Sequence, residues 1–134
     1  MAAFNKFNAF AENVVEVMNL GTDQFVVALT NTAPTASNSV LADITQITYT
    51  NLSSRNLTTS SSSQTSGTYT LALADLTLTA SGSVGPFRYV VIYDDTPTSP
   101  ADPLVGWYDY GSSISLASGE TFTIDFGASV ISLS

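Results

Sequence analysis

A chain of 134 residues, 44% of them apolar, is one domain's worth of sequence and long enough to bury a core. Its net charge of −8, from three basic and eleven acidic residues, argues against nucleic-acid binding, which needs Lys and Arg, and against anionic membranes. Without cysteine it cannot be a disulfide-stapled scaffold, and without histidine it lacks the commonest general base and metal ligand.

The first predicted element is an amphipathic helix over residues 3–19. Phe4, Phe7, Ala11, Val14 and Met18 recur at spacings of three and four, which places them on one stripe. Phe10 and Val17 widen it, Asn5, Asn8, Glu12 and Glu16 face away, and Gly21 is placed to cap the end. Such a helix packs on its own sheet or docks on a partner. Residues 1–18 hold no continuous apolar run, so they do not read as a signal peptide, and no stretch approaches a membrane-spanning length.

At Gln24 the period changes. Residues 24–30 (QFVVALT) read as a strand buried on both faces, and residues 31–38 as turn chemistry. Leu41, Ile44 and Ile47, three apart, predict a short second helix capped by Asn38 or Ser39. The run TTSSSS at residues 58–63 predicts an exposed loop or loose hairpin.

The rest reads as strands. Residues 68–78 alternate, with a bulge expected at Ala74 and Asp75. Residues 87–93 (FRYVVIY) predict a central strand. Residues 94–103, with three prolines, must be a connection. Residues 104–110, 114–116, 121–126 and 130–133 supply further strands. The expected fold is mainly β: an antiparallel β-sandwich or barrel-like domain, with one N-terminal amphipathic helix and a short second helix, as a single domain over residues 1–134.

The chain offers little for catalysis. Its serines have no histidine beside them, and the one lysine, Lys6, falls on the polar side of the predicted helix. Asp94, Asp95 and Asp102 gather around the Pro-rich connection, but without calcium-loop spacing they read as a solvated acidic loop. Asp109 and Asp125 are not marked as a pair. Trp107, Tyr108 and Tyr110 could line a sugar-binding face, yet adjacent strand positions point to opposite sides, so Trp107 is assigned to the core. Arg88, inside an apolar strand, needs a carboxylate, with Asp109 and Asp43 as candidates. The residues expected to hold the structure are Phe4, Phe7, Val14, Met18, Arg88, Trp107 and Asp109; no catalytic, cofactor or metal residue is expected.

Charged residues make up 10% of the chain, against an average of about 25%. Nineteen Ser and eighteen Thr fill the difference, which leaves a hydroxyl-rich surface suited to packing against copies of itself or a neighbour. The segments KFNAF (6–10), ALTNTAP (28–34), VLADITQI (40–47), GPFRYVVIYDDT (85–96) and LVGWYDYGSSISLASGETFTIDF (104–126) resemble a group of small virion proteins of tailed bacteriophages. The resemblance implies a virion location, assembly in many copies in the host cytoplasm, and no catalytic residues. Size and the lack of repeats favour a capsid decoration or cement protein on the outer shell. Its partners would be the major capsid protein and itself, as a trimer or dimer, with no nucleic acid or membrane. The alternative is a tail, tail-fibre or receptor-binding component.

Overall fold

Six consecutive buried residues form β2 (Phe25–Thr30), a run that survives only where a sheet is covered on both faces. The computed structural model describes residues 2–134, so Met1 of the expected domain lies outside them. β2 pairs antiparallel with β6 (Val84–Asp94), and β6 with β7 (Leu104–Leu116). β1 (Phe4–Lys6) completes this sheet, giving the order β1-β7-β6-β2. FRYVVIY is thus a central strand, as its composition predicts.

The other strands form two smaller antiparallel sheets. β3 (Thr59–Thr65), β4 (Thr68–Leu73) and β9 (Ile131–Leu133) make one, in the order β3-β4-β9. β5 (Leu76–Thr79) and β8 (Thr121–Ile124) make the other. The chain is mainly β, but the sheets do not close into a barrel, and the barrel-like expectation is set aside. The run over residues 68–78 is two strands rather than one bulged strand: at Ala74 and Asp75 the chain changes sheet. The Ser-rich segment is a hairpin, and its two-residue turn, Ser66 and Gly67, has φ of 51° and 84°, the signature of a type I′ turn.

The helix is shorter than predicted. α1 spans Phe10–Glu16 instead of residues 3–19, and Gly21 lies beyond its end. Residues 4–6 leave the helix because they find backbone partners on β7: Phe4 opposite Tyr108, Asn5 opposite Trp107, Lys6 opposite Gly106. A three-residue spacing fits one face of a helix, but in an extended chain it sends side chains to opposite faces. Phe4 accordingly stacks on Tyr108 at 5.4 Å, and Phe7 on Trp107 at 4.6 Å, on either side of the sheet. The second helix is also corrected: Leu41–Asp43 forms one 3₁₀ turn, too short to gain helical cooperativity.

Those opposite faces bound two cores. The larger joins Phe10, Phe25, Val27, Leu29, Val90, Ile92 and Tyr108 to Leu71, Leu78, Phe87, Ile124 and Phe126 from the smaller sheets. The smaller gathers Phe7, Val26, Ala28, Val91, Tyr93 and Leu104 beneath Ile44 of the 31–47 segment.

Candidate functional site

Arg88 and Asp109 face each other across β6 and β7. Arg88 Nε donates to Asp109 Oδ1 at 2.8 Å and Nη2 to Oδ2 at 3.1 Å, a bidentate pair. Both side chains are more than a third exposed, so Arg88 is not the buried guanidinium the sequence suggests. The Arg88 hydrogen bonds, then the Gly111 N–H, hold Asp109 below the usual carboxylate range. Asp43, the other candidate partner, instead accepts from Ser39 N and Val40 N and closes its own turn.

Asp94 departs from the expected solvated acidic loop. It ends β6 fully buried, and its Oδ1 accepts from Thr96 N at 3.1 Å. Its Oδ2 is shut off from solvent with no donor among the described residues. Burial first, then the facing Asp23 carboxyl, push Asp94 up to about 8. At neutral pH the side chain is therefore held mainly as the neutral acid. Asp95 is exposed and Asp102 partly so; burial, then Asp95, raise Asp102. Among the described residues no group of three or more His, Cys, Asp or Glu is placed to hold a metal ion.

The remaining chemical candidates stay apart. Lys6 is exposed on β1, and Asp125 accepts from Gly127 N. Trp107 is half-buried against Phe7, whereas Tyr108 is the buried aromatic of the large core and Tyr110 packs edge-on against Phe122 at 5.1 Å. The three rings share no open face. Val14 and Met18 pack on the large core and, with Leu20, Tyr69 and Leu133, line an open groove of about 410 Å³ between α1 and the β3-β4-β9 sheet.

Sequence reasoning missed the guard on the outer edge of β2. Val27 N donates to Arg55 O at 3.0 Å, Arg55 Nη1 to Val27 O at 2.6 Å, and Leu57 N to Phe25 O at 2.9 Å. Leu29 N donates to the Tyr49 hydroxyl, and Ile47 N to Leu29 O. The Arg55 guanidinium lies 3.7 Å from the centre of the Tyr49 ring. Nothing in SSRNL or ITYT signals this long-range role. The sealing of Asp94 did have a signal: it directly follows the apolar run of β6.

β3 is the contrast. All its residues but Thr59 are exposed, and among the described residues the only ladder it makes is with β4. Neither β3, β4, β9 nor the Ser66–Gly67 turn carries a formal charge, in a chain of net −8. Comparison with protein-family models, with curated proteins and with solved structures gave no match.

Proposed function

We propose that this chain is a non-enzymatic structural subunit of a bacteriophage particle. In this reading it is a capsid decoration or cement protein that binds the outer shell and bridges the major capsid protein and further copies of itself. The observation that carries the reading is the charge-free β3-β4-β9 sheet, rich in hydroxyls and set on a well-buried frame. Subunits that each carry a net charge of −8 repel one another, and close packing is least costly through a face that holds no charged residue. We read the two smaller sheets as the second layer of a β-sandwich over the four-stranded sheet, since side chains from all three meet in the larger core.

Quantifying the protein in purified particles tests the assignment. Hundreds of copies per particle support a shell component; a handful places it on the tail, and none removes it from the virion. Stripped shells should break at a lower temperature than coated ones. Rebinding should survive high salt, because apolar burial and neutral hydrogen bonds are not screened.

A further inference from the structure

We infer that β3 is a self-association edge, through which two copies of this chain pair antiparallel and join their three-stranded sheets into one continuous sheet. The inference builds on the many-copy reading above but can fail without it, since it concerns the isolated protein.

The hairpin register shows which backbone groups are free. In a two-residue hairpin the residues flanking the turn, here Thr65 and Thr68, form a hydrogen-bonded pair. Bonded and non-bonded pairs then alternate, so Ser63–Thr70 and Ser61–Ala72 are bonded, and Ser62 and Gln64 direct their N–H and C=O away from β4. Among the described residues no other backbone group meets them.

The other outermost strands of the three sheets are covered or short. Segments at residues 47–57 cover β2, Ser53 covers β5 through Thr79, and β1, β8 and β9 have three or four residues each. β3 is seven residues long and carries no Lys, Pro or charge of the kind that usually blunts an exposed edge.

Self-pairing follows from charge and register together. A partner of either sign gains nothing ionic at β3, whereas a second copy, repelled by its net −8 elsewhere, meets here a neutral strand. A two-fold axis at Ser63 sets Ser62 of each copy opposite Gln64 of the other. Every outward group at these two positions is then satisfied. Of β3 itself, only Ser, Thr and Gln side chains line the seam, and none of them is charged.

The test uses the whole chain and three variants. By sedimentation velocity the wild type should be a dimer. Ser62→Pro removes an outward N–H without touching the β3–β4 ladder. It should weaken association roughly tenfold or more while leaving the melting temperature nearly unchanged. The chain has no cysteine, so Ser63→Cys introduces a single thiol next to the axis. It should oxidise to a covalent dimer, since a non-bonded pair sits within disulfide reach; Ser118→Cys, exposed in the turn before β8, should not. A wild type that is monomeric at its highest soluble concentration overturns the inference, as does a dimer that persists in Ser62→Pro. If Ser62→Pro does not fold, the cysteine pair decides, and equal cross-linking at both positions rejects the β3 seam.

Discussion

At the β2 edge of the four-stranded sheet, Arg55, Tyr49, Ile47 and Leu57 meet the outward groups of Phe25, Val27 and Leu29. At the β3 edge, Ser62 and Gln64 have no such cover. The four-stranded sheet also carries the Arg88–Asp109 pair and the buried Asp94, while the β3-β4-β9 sheet has no charge at all. The strand left bare is thus one that carries no charge. The difference teaches that an edge strand need not be hydrophobic to be open; it needs unmet backbone groups and nothing to repel a neighbour.

The frame should be the brittle half. Phe7 is fully buried on the Trp107 side of the sheet, and Phe7→Ala should cost about 3–5 kcal/mol, read as a lower urea midpoint. A midpoint that does not move would mean that the smaller core adds no stability and would break the comparison. Gly106→Ala is next. A Cβ there would come within 2.6 Å of Asn5 O and 2.2 Å of Phe4 Cζ. The expected cost is about 1–3 kcal/mol, as for overpacking, with faster hydrogen exchange at residues 4–6 as β1 lifts and a second edge opens.

The two carboxylates of the frame should respond to pH with opposite sign. Asp94 keeps its proton to about 8 when folded, against an ordinary value of 3.8. Its contribution is complete below pH 4 and declines as pH rises through 8, with a slope of at most about 1.4 kcal/mol per unit. Asp94→Asn should flatten that decline in urea midpoints measured from pH 4 to 9. Asp109 is held below its ordinary value by Arg88, so its contribution is present above that value and lost as pH falls through the folded one. Arg88→Met should move the Asp109 titration upward by NMR. The smallest effect belongs to the open sheet: Tyr69→Phe removes the exposed hydrogen bond to Ser62 Oγ and should change stability by less than about 0.5 kcal/mol. A larger loss would show that the hairpin is part of the frame.

Much of this fold was legible in the sequence, and for physical reasons. Continuous apolar runs marked β2 and β6, alternation marked β8, and Asp109 was named as a partner for Arg88 because one guanidinium in a strand requires one carboxylate nearby. What was not legible depended on contacts distant in sequence. Phe4, Phe7 and Phe10 share a spacing that suits a helix, and only the free edge of β7 converts the first of them to strand. The β2 guard depends on Arg55, which leaves no local pattern. The open edge was half legible: TTSSSS read as exposed, but its strand character came from pairing with β4.

The pairing of Lys6 with Gly106 has a consequence in time. At a synthesis rate of about 5–20 residues per second, the β7 partner of residues 4–6 leaves the ribosome roughly 5–20 s after they do. Throughout that interval Phe4 and Phe7 have no ring to stack on, because Tyr108 and Trp107 do not yet exist. The aromatic start of the chain is thus its longest-waiting sticky segment. Chains released before residue 108 would carry it unburied, and these, rather than finished chains, are the species expected to clump.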